Sequence, residues 1–388
     1  MGSTLFFSPK RKGLKSKNTP SFVQINNLKK NFKLYIMMVG TFAGKGDFCV
    51  KIILDAMGGD NAPEAVVRGA LDALREFNDI NIMLVGKEYS IRQILADNQY
   101  DNKRLEVVNA GEVIEMNESP AAAIRKKKNS SMVVGLTLVS QGAGDIFISA
   151  GNTGALVAGG TLIVRRIEGV KRPAIATQLP AKTGSVLLID AGANVDCKPT
   201  WLAQFGVMGS VFMQNVGGIT EPRVGLINNG GEEEKGNALT KEAYKLMEKA
   251  PMKFTGNAEG RDLLSGDFDV IVCDGFTGNI LLKFLEGTAS TILSVLKENI
   301  MKSALSKIGA VFMKGAFKGL KAKFDYSEYG GALLLGLRAG VMKAHGSSDA
   351  KAIASAVRAA RKFIEGDVVA TIKSRIEQLG VGNGEEDD

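Results

Sequence analysis

The sequence predicts an α/β fold built on a mostly parallel sheet, and three observations support it. Continuous apolar runs recur along the chain, among them Ile52–Leu54, Ile146–Ile148, Val186–Ile189 and Val270–Val272. Runs without polar alternation suit strands buried on both faces, as in a parallel sheet covered by helices. The stretches between them are amphipathic and suit crossover helices. Finally, these runs lead into one kind of loop, rich in Gly with Asp, Asn or Thr, at Ile52–Asp60, Ile146–Gly160, Val186–Asn194 and Val270–Asn279. Ligands of such sheets bind outside the carboxyl ends of the strands. The four loops are therefore expected to converge on one edge. With 388 residues, 45% of them hydrophobic, the chain can bury a substantial core in one large or two ordinary domains.

Val50–Leu54 is the first strand, and AMGGDNAP leads from it to a helix beginning near Pro63, a residue suited to a first helical turn. Ile82–Val85 is the next strand. Ser119 and Pro120 form an N-cap and N1 pair for a helix that ends in the charge run Arg125–Lys128. Such a run is either a solvated face or a receiver for an acidic partner. In Ile146–Gly160, Gly151 and Gly154 allow close backbone approach, while Asn152 and Thr153 bring short polar side chains. The helix that follows presents free N–H groups, which suit an anion such as phosphate. Alone, this would be a Gly-rich turn; three similar loops raise it above that. Strands at Ala174–Gln178 and Val186–Ile189, a helix opened by Pro199 and Trp201, a strand at Arg223–Ile227 and a helix over Lys235–Lys249 come next. Glu232, Glu233 and Glu234 favour the N-terminus of that last helix and need no catalytic explanation.

The alternation breaks at Gly278–Lys323, which reads as helical throughout. Within it Leu305, Ile308, Phe312 and Phe317 recur at helical spacing, with Lys302, Lys307, Lys314, Lys318 and Lys321 around them. A basic amphipathic helix pair either lies on a membrane surface or packs as a subunit interface; an ordinary core-facing stripe is the plain alternative. Two small-residue turns follow, FDYSEYGGALLLG and VMKAHGSSDA, with Ser348 or Asp349 placed to cap a helix.

Of the 49 basic and 41 acidic residues, nine and one fall in residues 1–50, so the other 338 residues carry 40 of each. The net charge of +8 is thus a property of the leader, and nothing in the body points to nucleic acid. Residues 1–49 are basic and rich in Ser and Asn, with one short apolar patch at Leu34–Val39. A transit segment, a basic surface-binding arm and a later start of translation all fit this composition. Cys49, Cys197 and Cys273 are too few and too scattered for a disulfide framework or zinc module, and a reduced intracellular setting follows. The single histidine, His345, argues against a His-rich metal site. No apolar run approaches the length of a membrane-spanning helix. The expected domains are a basic extension at 1–49, one domain over 50–380 and an acidic tail at 381–388.

The motifs AMGGDNAPE, SAGNTGALVAGG, AGANVDCKP with QFGVMGSVF, GNAEGRD, CDGFTGN, DYSEYGGA and KAHGSSDA, in this order, resemble the bacterial phosphate acyltransferases (the PlsX family) over residues 50–365. The resemblance implies a Rossmann-like three-layer α/β/α sandwich akin to isocitrate dehydrogenases and phosphotransacetylases, with the amphipathic helix pair protruding from it. It implies transfer of a fatty acyl group from acyl carrier protein to inorganic phosphate, giving acyl phosphate for phospholipid (phosphatidic acid) synthesis. A cytoplasmic homodimer in peripheral membrane contact is also implied, beside a downstream acyltransferase of the acylglycerol-phosphate pathway; an organelle is the alternative if residues 1–49 are a transit segment. The family begins where Val50 stands.

That chemistry suits these residues. Phosphate is already anionic and a thiolate is a fair leaving group, so the protein mainly holds two anions and a carbonyl and neutralises the developing oxyanion. No cofactor or metal is expected. Asn152 and Thr153 are assigned to phosphate, within a binding set that includes Gly58, Gly59, Gly151, Gly154, Thr277, Asn279 and Ser347. Lys182 is the expected charge partner, with Asn194 and Lys198 as second candidates. Asp55, Asp60 and Asp274 orient loops or hold a lysine, since carboxylates beside phosphate would repel it. Any histidine base must be His345, and a structural hydrogen bond is its other reading. Cys197 has only Lys198 nearby to activate it, so a packed, inert thiol is expected. Two other classes are weighed. A dehydrogenase would need a GxGxxG fingerprint, which opens none of these units. A non-catalytic phosphate-binding protein would release no thiol from acyl carrier protein.

Overall fold

The computed structural model describes residues 49–100, 103–324 and 330–379, with the side chains of 320–324 left aside. The leader with its Leu34–Val39 patch, the acidic tail and the DYSEY segment lie outside the described residues.

The strands are β1 Val50–Asp55, β2 Ile80–Gly86, β3 Leu105–Asn109, β4 Ile146–Ser149, β5 Ala174–Pro180, β6 Ser185–Ile189, β7 Arg223–Ile227, β8 Lys253–Ala258, β9 Val270–Val272, β10 Ala332–Leu335 and β11 Gly340–Lys343. The helices are α1 Glu64–Glu76, α2 Glu88–Asp97, α3 Pro120–Lys126, α4 Ser131–Ser140, α5 Thr153–Gly159, α6 Pro199–Asn215, α7 Ala238–Met247, α8 Gly275–Met301, α9 Ala304–Phe312, α10 Lys314–Phe324, α11 Ala350–Glu365 and α12 Val368–Gln378. Among the described residues the strands form one sheet in the order β3-β2-β1-β4-β11-β10-β5-β6-β9-β7-β8.

Strand alternation divides the core. Ile52, Leu54, Ile146, Ile148 and Met342 share a buried cluster with Val67, Leu71 and Leu74 of α1, Ile353 and Val357 of α11, and Phe205 and Met208 of α6. Phe147 points to the other face, where its ring lies against Gly135 of α4. Helices therefore cover both faces, and the fold is a three-layer α/β sandwich. Arg358 and Arg361 of α11 clasp Glu76 and Asp79 at the end of α1 through paired hydrogen bonds of 2.5–3.1 Å.

Direction along the sheet decides where loops meet. β3, β2, β1, β4 and β11 run parallel, whereas β10 is antiparallel to both β11 and β5, and β6 is antiparallel to β5. β6, β9, β7 and β8 are again mutually parallel, so they point opposite to β1 and β4. The carboxyl ends of β1, β4 and β11 share one edge, and those of β6 and β9 lie on the opposite edge. The expected convergence of four loops on one edge is thereby corrected: two loops go to each.

Other departures are local. ALLL and GVMK, expected as turns, are the strands β10 and β11. The helix expected over Lys235–Lys249 starts at Ala238, because the Asn237 side chain accepts the Thr240 N–H and caps it there. The expected continuous helix to Lys323 is three helices, with Ser303 capping α9 and a break at Met313. α8, 27 residues long, is also long and apolar enough to cross a membrane by length and composition, contrary to expectation; Gly, Ser and Thr among its apolar residues hide this in a simple search for unbroken runs.

Candidate active site

On the first edge, β1 ends at Asp55 and β4 at Ser149, side by side in the sheet. Asp55 is buried; it accepts the Ser149 hydroxyl at 2.6 Å and the Met57 N–H at 3.1 Å. Burial pushes its carboxyl above the ordinary value, against the pull of the Ser131 and Ser149 hydroxyls and the Met57 and Gly58 amides. The Ser149 hydroxyl in turn accepts the Gly151 N–H at 3.0 Å, stitching the two loops together. They approach so closely that a Cβ on Gly58 would stand 2.7 Å from Gly151 N, which explains glycine there. Gly59 has φ +103°, and the next N–H, that of Asp60, bonds the Gly346 carbonyl at 2.8 Å. The Asn61 amide bonds the Ser347 and Ser348 carbonyls at 3.2 Å each, bringing in the loop after β11.

Asn152 organises this edge. Its Oδ1 accepts the Ala155 N–H at 2.9 Å and caps α5, while Nδ2 donates to the carbonyls of Glu115, Met116 and Glu118 at 3.0–3.3 Å. The side chain is buried and both its polar atoms are engaged within the protein. It therefore holds the β3–α3 loop over the cleft, with both side-chain polar atoms occupied within the protein, whereas the sequence assigns it to phosphate. Glu118 of that loop pairs with Lys127, which ties the basic run Arg125–Lys128 to the loop. Thr153, half-buried, opens α5, and Gly154 packs on Pro120, where a Cβ would stand 2.7 Å from Cγ.

Lys343, which the sequence did not single out, lies at the centre. It ends β11 in register with Ser149. Its Nζ donates to the Ala150 carbonyl at 3.2 Å and to that of Ala344. Burial lowers its pKa to about 8, opposed by Asp55 and Asp60 and assisted by Lys283. Exposed His345 stands at the rim, with Nδ1 2.8 Å from the Ser347 hydroxyl. Desolvation lowers its pKa, with Glu286 raising it and Lys283 and Lys343 lowering it further. Lys283 and Glu286, ion-paired at 2.7 Å on α8, lie close enough to act electrostatically on Lys343 and His345.

Lys182 occupies the exposed β5–β6 hairpin, its N–H on the Leu264 carbonyl at 2.8 Å. β11 and β10 lie between β5 and β4. Lys182 therefore stands about three strand spacings, ~14 Å, from the Gly151–Gly154 loop.

The opposite edge is a closed knot. Asp190, at the end of β6, is buried and accepts the N–H groups of Ile175, Gly192, Ala193 and Asn194 at 2.7–3.1 Å, plus Asn194 Nδ2 at 2.8 Å. Asn194 Nδ2 also bonds the Pro173 carbonyl. Asp274 caps α8, accepting the Thr277 N–H and hydroxyl at 2.8 Å each. Gly275 N–H bonds the Asn194 carbonyl at 2.7 Å, and the exposed Asn279 packs over Gly192. Lys198 is exposed at the N-cap position of α6. Burial, with Asp190 nearby, pushes the Cys197 thiol up to about 12, which suits an inert thiol. Asn194, Asp274 and Thr277 build this knot and do not meet the Lys343 cleft.

Two further features complete the placement. Leu305, Ile308 and Phe312 are exposed and α9 buries no residue, so the core-facing reading of that stripe is overturned; Phe317 of α10 is half-buried. A cavity of about 650 Å³ opens at the amino ends of β4 and β11, beside Asp145, Arg165, Arg338 and Gly340, and contains none of the predicted site residues.

Residues 50–371 match the family described as fatty acid synthesis protein. The chain is 49% identical over 331 residues to a phosphate acyltransferase of Thermoanaerobacter pseudethanolicus, covering 85% of this chain and 98% of that one. It is 50% identical over 330 residues to a phosphate acyltransferase of Bacillus cereus, with coverage of 85% and 99%. Among solved structures, a phosphotransacetylase from Streptococcus pyogenes superposes with a TM-score of 0.54 at 17% identity, covering 90% of this chain and 98% of that one. The EutD phosphotransacetylase from Staphylococcus aureus gives 0.51 at 16%, with coverage of 89% and 98%. These two likenesses concern the fold.

Proposed function

The chain belongs to the fatty acid synthesis protein family and is a phosphate acyltransferase, and we propose that its acyl donor is a fatty acyl thioester of acyl carrier protein. A phosphate oxygen attacks the thioester carbonyl, the new C–O bond forms, and the C–S bond breaks. The thiolate takes the proton released from hydrogen phosphate, leaving acyl phosphate and free thiol. Acyl phosphate then serves phosphatidic acid synthesis, in which a downstream acyltransferase of the acylglycerol-phosphate pathway consumes it.

The observation that carries this reading is the Lys343 cleft. A half-buried cation stands beside two Gly-rich loops, with no nucleotide or sugar fingerprint around it. Such a cleft suits a small anion and a carbonyl held together, and positioning with charge neutralisation supplies most of what acyl transfer to phosphate needs. The test is incubation of the full chain with acyl carrier protein thioester and phosphate, with hydroxylamine trapping of acyl phosphate. Phosphate-dependent thiol release with hydroxamate formation is expected. Thiol release independent of phosphate, or none, refutes the reading.

The setting proposed is a cytoplasmic homodimer attached peripherally to a membrane, with residues 50–380 as the catalytic domain. Phe276, Ile280, Phe284, Ile292 and Val295 are exposed along α8, a stripe that supports pairing with a second copy. Leu305 and Phe312 of α9, 84% and 86% exposed beside Lys302, Lys307 and Lys314, support contact with an anionic bilayer.

A further inference from the structure

We propose that Lys343 is the cation that receives the attacking phosphate, held in the cleft between β4 and β11 by the carbonyls of Ala150 and Ala344. The inference rests on the acyl-transfer reading and names the residue that makes its phosphate site. Strand register sets Lys343 opposite Ser149, so its side chain runs beside the residues leading into the Gly151–Gly154 loop. An ammonium carries three N–H groups. Two of them meet the Ala150 and Ala344 carbonyls. Among the described residues no carboxylate oxygen lies within 4 Å of Nζ, and the third N–H has no partner. A half-buried cation without a contacting anion is partly desolvated, and an anion in the cleft would pair with it.

The charges facing Lys343 come from every wall. Asp55 at the end of β1 and Asp60 in the following loop favour its protonated form, and Lys283 on α8 opposes it. Lys283 is itself paired to Glu286, and His345 stands at the rim. Burial prevails, and the amine titrates at about 8. Below that pH Lys343 is a cation; as pH rises through it, the charge that receives phosphate is lost.

The competing role is a tether that fixes the Ala150 carbonyl and meets no substrate. The test measures kcat and the phosphate KM by thiol release from acyl carrier protein thioester between roughly pH 6.5 and 9.5, for wild type, Lys343→Met and Lys343→Arg. A charge-assisted hydrogen bond lost at a half-buried site raises the phosphate KM about tenfold in Lys343→Met, with the acyl-donor KM within a few-fold of wild type. In wild type, kcat/KM for phosphate falls as pH passes about 8. Phosphate's own ionisation is common to wild type and Lys343→Arg, so the difference between the two profiles isolates the lysine. Lys343→Arg recovers part of the affinity and loses the alkaline limb, because guanidinium stays charged.

An unchanged phosphate KM in a folded Lys343→Met overturns the proposal, and so does an alkaline limb that persists in Lys343→Arg. If Lys343→Met does not fold, the wild-type and Arg profiles decide. Wild type without phosphate-dependent thiol release refutes the acyl-transfer reading instead. In that event calorimetric titration of inorganic phosphate into wild type and Lys343→Arg at pH 7 and pH 9 still tests the proposal: binding that weakens with pH in wild type alone supports it, and equal pH dependence overturns it.

Discussion

Replacing Asn152 separates a residue that shapes the cleft from one that touches substrate. In Asn152→Ala the cap on α5 is lost, which costs about 1 kcal/mol. Two Nδ2 hydrogens also leave the carbonyls of Glu115, Met116 and Glu118, at about 1 kcal/mol each. Asn152→Ser keeps a capping oxygen and loses only the ties to the loop, so the two variants should lose about 3 and 2 kcal/mol respectively. A domain of about 330 residues unfolds with roughly 0.7 kcal/mol/K of entropy, so melting should fall by about 4 °C and about 3 °C. Calorimetry measures both shifts. Amide exchange across residues 112–119 should quicken equally in the two variants, because the loop loses the same anchor. Phosphate-dependent turnover should drop a few-fold in each, through a less ordered cleft wall. Should Asn152→Ser melt and exchange like wild type yet lose as much turnover as Asn152→Ala, the side chain acts on substrate and the scaffold account fails.

Three further outcomes are expected. Lys182→Ala should change kcat/KM for phosphate by only a few-fold and His345→Asn somewhat more, because Lys182 is about three strands away while His345 borders the cleft; a hundredfold loss in steady-state assays of Lys182→Ala would return the charge role to it. Deleting residues 1–48 should leave folding and turnover intact, as circular dichroism and thiol release will report, since β1 begins at Val50; an unfolded or inactive product would move the domain boundary. Leu305→Ser with Phe312→Ser should abolish flotation with anionic liposomes and spare turnover in solution, since both side chains are exposed; unaltered flotation would remove α9 from the proposed membrane contact.

Much of the sheet was legible because buried parallel strands leave a local signature. The apolar runs at β1, β4, β6 and β9 needed no partner to be recognised, and Arg223–Ile227 coincides with β7. Strand direction, being non-local, was harder to see. It did leave one trace: only Ala181–Gly184 separate β5 from β6, and a parallel crossover needs a dozen residues or more. That gap requires a reversal, and the reversal sends the Val186–Asn194 and Val270–Asn279 loops to the far edge. β10 and β11 hid for another reason. Four residues each, set among glycines, they resemble turns, and only pairing with β4 and β5 makes them strands. With β11 unseen, Lys343 passed for a loop lysine. Lys182, the lysine the sequence singles out, belongs to an exposed hairpin.

The two edges are nevertheless one device, because α8 joins them. Its first turn is locked at the far edge, where Asp274 caps it, Gly275 N–H bonds the Asn194 carbonyl, and a Cβ on Gly275 would stand within 2.8 Å of Asn194 backbone atoms. Glu286, eleven residues beyond Gly275, is about 16 Å along the helix at 1.5 Å per residue, comparable to the length of a five-residue strand. That is how α8 starts at the carboxyl end of β9 and still brings the Lys283–Glu286 pair to His345 and Lys343 at the other edge. The buried Asp190 gathers five donors at the base of this helix and makes its point of departure rigid. The Gly, Asp and Asn residues of the far loops thus fix the start of the helix that carries Lys283 and Glu286. With phosphate in the proposed Lys343 cleft, a motif rich in anion-binding residue types would serve that site through the helix it anchors, provided the helix is long enough to reach the cleft.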